Sequence, residues 1–213
     1  MKKVAFILFF LACFTLNNPL QAQQLFRAGF VGGINLTQID GDDIAGFDKI
    51  GLNTGFLVEI GLDEYERWSA VMEILYSQKG SRSTLTNSPV DFRISMDYAE
   101  IPLYIRYHDW TGGLTFGAGA LIGRSVSSKF VESGIDQTDS YFGGEFPPKK
   151  WELGFLVDVS YMFSPIFGLN FRYTNSITAI RSNCNSGFFP GQCLQQRHKT
   201  LALRTIIMLA GSE

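Results

Sequence analysis

The sequence predicts an all-β fold, an eight-stranded antiparallel up-and-down transmembrane β-barrel, on three observations. Apolar side chains recur with period 2 and not 3.6, the connections between strand-like segments alternate in length, and the face opposite the apolar one is rich in glycine and balanced charge. Composition agrees. Of 213 residues, 46% are hydrophobic, 14% aromatic and only 18% charged, with 22 glycines, a balance unlike an ordinary soluble domain. A net charge of -2 gives no electrostatic footprint for nucleic acid, which is therefore not an expected partner.

Met1, Lys2 and Lys3, an apolar run from Val4 to Leu16 and the small-residue pattern Leu20-Gln21-Ala22 read as a secretory signal peptide over residues 1–22, leaving 23–213 as one barrel domain. Two alternatives stay open: an uncleaved N-terminal anchor, and lipidation at Cys13, since Phe10-Leu11-Ala12-Cys13 loosely resembles a lipobox. No later stretch offers the roughly 20 mainly apolar residues of a transmembrane helix.

Eight strands are expected, at about 26–36, 50–61, 68–79, 94–107, 113–124, 151–162, 167–178 and 198–209. Their connections run long, short, long, short, long, short, long, so tight turns gather at one end and long loops at the other. Strand two sets Ile50, Leu52, Phe56, Val58 and Ile60 against Gly51, Asn53, Gly55 and Glu59. Strand three sets Trp68, Ala70, Met72, Ile74 and Tyr76 against Ser69, Glu73, Ser77 and Lys79, with Val71 and Leu75 as apolar exceptions. Strand four places Ala99, Ile101, Leu103, Ile105 and Tyr107 opposite Tyr98, Glu100, Pro102, Tyr104 and Arg106. Strand five places Leu114, Phe116, Ala118, Ala120 and Ile122 opposite Thr115, Gly117, Gly119 and Gly123. Strands six and seven repeat the pattern, with Glu152, Gly154, Asp158 and Ser160, then Asn170, Arg172 and Thr174, on the polar face.

Alternation alone also suits a soluble sandwich or cup whose apolar face points inward. The polar face decides. Water-facing strands carry long exposed Lys and Glu side chains, whereas here glycine and small polar residues surround Arg27, Arg106, Arg172 and Arg204, which can meet Glu59, Glu73, Glu100, Glu152 and Asp158. An eight-stranded barrel has an interior just wide enough for side chains to fill, and paired charges avoid the cost of isolated buried ones. Aromatic residues near strand ends, Trp68, Tyr76, Tyr107, Trp110, Trp151, Tyr161, Phe163 and Tyr173, suit membrane interfaces. Lipid outside and a polar plug inside is the resulting expectation.

The segments AEIPLYIRY at 99–107, GFVGGINLT at 29–37, LYSQKG at 75–80 and the LQAQ processing site resemble the PorT-like outer-membrane β-barrel family of Gram-negative bacteria, over nearly the whole mature chain. The resemblance implies an outer-membrane location and, through the family's named member, a link to protein secretion. It supplies no catalytic residues.

Two histidines, His108 in a short turn and His198 on the loop side near Thr200, Ser182 and Asp139, are thin material for a hydrolase, so no enzyme is expected and His198 is read as a solvated or interface residue. The acidic first loop with Asp40, Asp42, Asp43 and Asp48 lacks EF-hand spacing and reads as solvated; no metal or other cofactor is expected. Cys184 and Cys193 bracket a Gly/Pro-rich turn in an exported chain, and a disulfide between them is expected. Phe142 and Phe146 in one long loop, with Phe188 and Phe189 in another, could anchor a partner or simply pack on each other. The partners expected are outer-membrane lipid and an envelope or secretion-system protein. The functional expectation is a structural or accessory envelope barrel; the alternatives are a small-ligand-binding or transport barrel with a loop-formed mouth and, least favoured, an outer-membrane hydrolase.

Overall fold

The computed structural model describes residues 26–40, 46–65, 67–83, 91–109, 113–142, 148–183 and 194–209. The chain forms β1 (Phe26–Asp40), β2 (Lys49–Gly61), β3 (Trp68–Ser83), β4 (Phe92–His108), β5 (Leu114–Glu132), β6 (Ile135–Asp136), α1 (Thr138–Phe142), β7 (Trp151–Met162), β8 (Phe167–Ser176), β9 (Arg181–Asn183) and β10 (Leu194–Met208). Eight long strands pair antiparallel in the order β1-β2-β3-β4-β5-β7-β8-β10, and β10 pairs back onto β1. Closure leaves no sheet edge that hydrocarbon would have to satisfy. The short β6 pairs with the tip of β5, and β9 with the start of β10.

Side chains alternate as the period-2 pattern requires. On the outer wall Phe56 is 60% exposed, Leu103 55% and Val157 46%, while the residues between them point inward and are mostly buried. On β7 the outer wall runs from Trp151 to Tyr161 through Leu153, Phe155, Val157 and Val159, all exposed. Ten residues at about 3.3 Å each give about 33 Å of strand. A tilt of about 40° reduces that to roughly 25 Å, the height of the apolar band on an outer-membrane barrel. Aromatic pairs mark the short-turn rim, where Trp68 and Tyr107 lie 4.9 Å apart and Tyr161 and Phe163 also 4.9 Å. Tyr173 departs from the expected girdle. Opposite Val157 in the register, it sits at mid-wall, against Phe155. No helix among the described residues is long and apolar enough to cross a membrane.

β4 and β5 show how the two sequences fit each other. Arg106 pairs with Gly117, Tyr104 with Gly119 and Glu100 with Gly123, so each large inward side chain of β4 faces a glycine. A Cβ on Gly119 would lie 2.2 Å from the Leu103 carbonyl oxygen and 2.4 Å from Tyr104 Cβ, and one on Gly117 would lie 2.4 Å from an Asp158 carboxylate oxygen. Those glycines are what let the lumen hold a tyrosine and an arginine at the same height.

Two expectations need correction. The strands outrun their expected ends on the long-loop side: β1 reaches Asp40, β3 Ser83 and β5 Glu132, while β10 begins at Leu194. Beyond the apolar band neither face needs to be apolar, so the alternation that marks a strand in sequence fades. On β5 a register shift at Asp97/Tyr98 inserts Val126 and inverts the pattern besides. β8 instead stops at Ser176. The lumen, secondly, is not purely polar: Val31, Leu57, Val71, Leu75, Leu121, Leu156, Ile206 and Met208 pack with Tyr104 in one cluster, and Ile39, Ile94, Met96, Tyr98, Phe130 and Ile180 form a second. Leu57, Leu156 and Ile206 point inward amid polar neighbours because a lumen shut off from water rewards dense packing as much as pairing.

The signal peptide at 1–22, Cys13, Trp110, Phe146, Phe188, Phe189, Cys184 and Cys193 lie outside the described residues. Phe142 closes α1.

Candidate functional site

The lumen is built as three polar layers. In the middle layer Glu73 of β3 accepts hydrogen bonds from Arg172 of β8 at 2.8 and 3.0 Å, from Arg204 of β10 at 3.0 Å, and from the Tyr104 hydroxyl of β4 at 2.7 Å. Arg172 also donates to Asp158 of β7 at 2.6 Å, and its guanidinium lies 4.7 Å from the Tyr104 ring centroid. Arg204 completes its fork on the Asn170 carbonyl oxygen at 2.7 and 2.8 Å. Two cations thus meet two carboxylates across the full width of the barrel. Every member is buried, so each charge is stable only because its partners are present.

Towards the long loops, Lys79 of β3 lies 2.5 Å from Glu100 of β4 and 2.8 Å from Glu152 of β7. Glu152 also accepts from the Ser176 hydroxyl and lies 3.1 Å from His198 Nδ1. Tyr98 closes the layer, with the Lys79 ammonium 5.1 Å from its ring centroid and the His198 ring edge-on at 5.4 Å. Near the short-turn mouth, Glu59 of β2 accepts from Ser69 at 2.6 Å, lies 2.8 Å from His108 Nε2, and meets Arg106 and Arg27 at 3.3 Å each. Arg106 donates to the Tyr104 hydroxyl at 2.8 Å, which links this layer to the middle one.

All nine charged residues expected in the lumen are therefore engaged in ion pairs, with one displaced. Arg27 is 45% exposed at the rim, because it stands at the very start of β1 and pairs with Glu59 from outside the buried stack. Lys79, His198, Ser69 and Tyr104 complete the network beyond the nine expected charges. Lys79 lies on the polar face of its strand, and inward parity with Thr200, Ala202 and Arg204 was a usable signal for His198. His198 is 1% exposed, not solvated, since β10 begins four residues earlier than expected and carries the ring into the barrel. His108 is likewise not isolated, being held by Glu59 and Ser69. Asp139 lies on α1, exposed, beside a groove with Ser127 and Ser128, and no contact with His198 is seen among the described residues.

Below the Glu59 layer a cavity of about 370 Å³ opens at the short-turn mouth, lined by Arg27, Arg106, His108, Leu114, Met162 and Met208 among others. The stacked layers and apolar clusters close it from above. Outside the membrane span, Asp40 pairs with Lys199 at 3.0 Å, and Asp136 pairs with Lys129 at 3.3 Å. Hydrogen bonds from Thr138 hold the Asp136 carboxyl below its ordinary range. No group of three or more potential metal ligands occurs among the described residues.

The family described as "Outer membrane protein beta-barrel domain" matches residues 21–181, most of the chain. The chain belongs to the outer membrane protein beta-barrel domain family. It is an outer-membrane protein, and the long-loop end is accordingly extracellular and the short-turn end periplasmic. β10, which closes the barrel, lies beyond the matched residues. No curated protein matches the chain. Among solved structures it is similar to Ail, the attachment invasion locus protein of Yersinia pestis (10% identity, 87% of this chain and 100% of that one, TM-score 0.49). It is also similar to Neisserial surface protein A (13%, 85% and 96%, 0.45) and to OprG from Pseudomonas aeruginosa (11%, 86% and 94%, 0.39).

Proposed function

We propose that the protein is a non-conducting, non-enzymatic accessory barrel of the cell envelope, of the PorT-like type, which assists protein secretion by engaging an envelope or secretion-system protein through its extracellular loops. The observation that carries this reading is the filled lumen: three ion-paired layers and two apolar clusters occupy the space that a transported solute would need. Phe142, Phe146, Phe188 and Phe189 are the proposed anchors for the partner, with the 184–193 segment closed by a Cys184–Cys193 disulfide. The carboxylate-held histidines, His198 buried and His108 half-buried, favour a non-catalytic barrel.

The test has two arms. Mature protein refolded into planar bilayers is expected to give no stable conductance, and regular single-channel steps from the wild-type chain would replace this reading with the transport one. In cells, loss of the gene is expected to lower surface delivery of secreted proteins without changing permeability to small solutes. The reverse pattern would reject the accessory role. Thiol labelling of the unreduced denatured protein decides the disulfide, since two freely labelled cysteines would exclude it.

A further inference from the structure

On its outer wall β5 presents Leu114, Phe116, Ala118, Ala120 and Ile122 in turn from the periplasmic end, and its first charged outward side chain is Arg124. Arg124 lies opposite Trp151 in the register, its guanidinium 5.6 Å from that ring's centroid, at the extracellular edge of the apolar band. Lys149 and Lys150, both exposed, immediately precede Trp151. Their backbones are pinned: the Lys149 amide donates to the Ile180 carbonyl at 2.7 Å, and the Ser125 amide donates to the Lys150 carbonyl at 2.8 Å. Ser125, Ser127 and Ser128 border a concavity of about 290 Å³ with Pro148 and the two lysines.

Cations without an ion pair among the described residues also occur at Arg82 and Arg93 of the extracellular rim; at this seam one such cation lies over a tryptophan ring at the edge of the apolar band. Lys199 and Lys129 each have a carboxylate partner, whereas Arg124, Lys149 and Lys150 form no ion pair among the described residues. Across on β4 the register sets Asp97 opposite Ser127, and Asp136, which pairs with Lys129, and Asp139 border the groove on the other side of Ser127 and Ser128. Three cations clustered at the height where hydrocarbon gives way to headgroups repel one another unless an anion joins them.

We infer that the β5–β7 seam binds a phosphomonoester carried by a lipid headgroup of the outer leaflet. Depth and chemistry select that ligand. A guanidinium stacked on an aromatic face still offers its edge as a fork to phosphate oxygens, the lysines add point charges, and the exposed Ser127, on the outer face opposite Asp97, has a hydroxyl to donate to a remaining oxygen. Trp151 lies at headgroup level, and the exposed Ile122 and Leu153 just below would lie along acyl chains. A soluble protein partner would have to reach this seam through the lipid itself.

The mature full-length protein in phosphatidylcholine nanodiscs would be titrated with diphosphorylated lipid A, with dephosphorylated lipid A and with inorganic phosphate, bound ligand being read by native mass spectrometry. Wild-type protein is expected to retain the phosphorylated lipid and not the dephosphorylated one. Removing one cation near an anionic surface weakens binding on the order of fivefold, so the triple variant Arg124→Ala, Lys149→Ala, Lys150→Ala should bind about a hundredfold more weakly. The charge-conserving set Arg124→Lys, Lys149→Arg, Lys150→Arg should restore most of the affinity, with heat-modifiable migration confirming that each variant folds. Equal retention of both lipids by the wild-type chain overturns the inference, even if the alanine variant fails to fold. So does unchanged affinity in a folded alanine variant. Displacement of the lipid by inorganic phosphate would reassign the seam to a free anion and overturn the lipid assignment.

Discussion

The outer wall and the lumen are made from alternate residues of the same strands, yet they hold the barrel by opposite means. Leu103 and Tyr104 are neighbours in the chain: Leu103 is 55% exposed to the surrounding phase, while the Tyr104 hydroxyl joins Arg106 to Glu73 inside. Any apolar side chain of suitable size serves the wall, because lipid has no fixed shape to complement. The lumen demands particular residues at particular heights, because each buried charge depends on a partner on another strand, in the case of Glu73 with Arg172 and Arg204 from the far side of the barrel. Wall positions should therefore tolerate apolar exchange and reject charge, and lumen positions should reject nearly any single change.

The largest effect is expected at Glu73. Glu73→Ala leaves Arg172 and Arg204 without their shared carboxylate, and breaking a buried pair costs about 3–5 kcal/mol. The midpoint of urea unfolding in detergent micelles should fall accordingly, or the protein should fail to show heat-modifiable migration. A wild-type midpoint for this variant would remove the lumen network from the account of stability. Next come Leu103→Arg and Val157→Arg, which put a charge near mid-wall at a cost of roughly 2–4 kcal/mol, read as lost assembly into lipid vesicles. Leu103→Ile and Val157→Ile should assemble normally; if arginine and isoleucine assemble equally well, the wall does not face lipid.

Gly119→Ala sharpens the contrast from the lumen side. The added Cβ would meet the Leu103 carbonyl oxygen and Tyr104 Cβ, so backbone must shift, and overpacking of this kind costs about 1–3 kcal/mol. Pairing it with Tyr104→Ala leaves the clash in place, because alanine keeps both the Cβ and the backbone that the new methyl meets, so the double variant should recover none of the loss. The smallest effect belongs to Lys129→Ala, which removes an exposed ion pair with Asp136 and should leave the unfolding midpoint unchanged.

Much of this was legible in the sequence, because the side a residue faces depends only on parity along a strand. Strands two to seven of the expected set carry their apolar residues outward as read, and the glycine-rich face of β5 does accommodate the large residues of β4. Height was harder to read, since it depends on tilt and register, which no single strand encodes. Arg27 lies on the face its parity predicts but emerges at the rim, and Tyr173, an expected girdle residue, sits at mid-wall. His198 lies near a loop in the sequence, but its parity with Thr200 and Arg204 points it inward. The continuation of β5 past residue 124 was hidden because Ser125, Ser127, Ser128 and Lys129 carry no apolar alternation once the strand has left the membrane.

The central claim, that one face of each strand meets lipid while the other seals the lumen, is tested most directly by spin-label scanning along β7. Single cysteines would be placed at positions 153 to 159, in a background with Cys184→Ser and Cys193→Ser, and labelled in lipid bilayers. Accessibility to lipid-soluble oxygen should peak at 153, 155, 157 and 159, and a water-soluble nickel chelate should reach neither 156 nor 158. Chelate access at 156 or 158 in folded protein, or oxygen maxima at the even positions, would contradict the account.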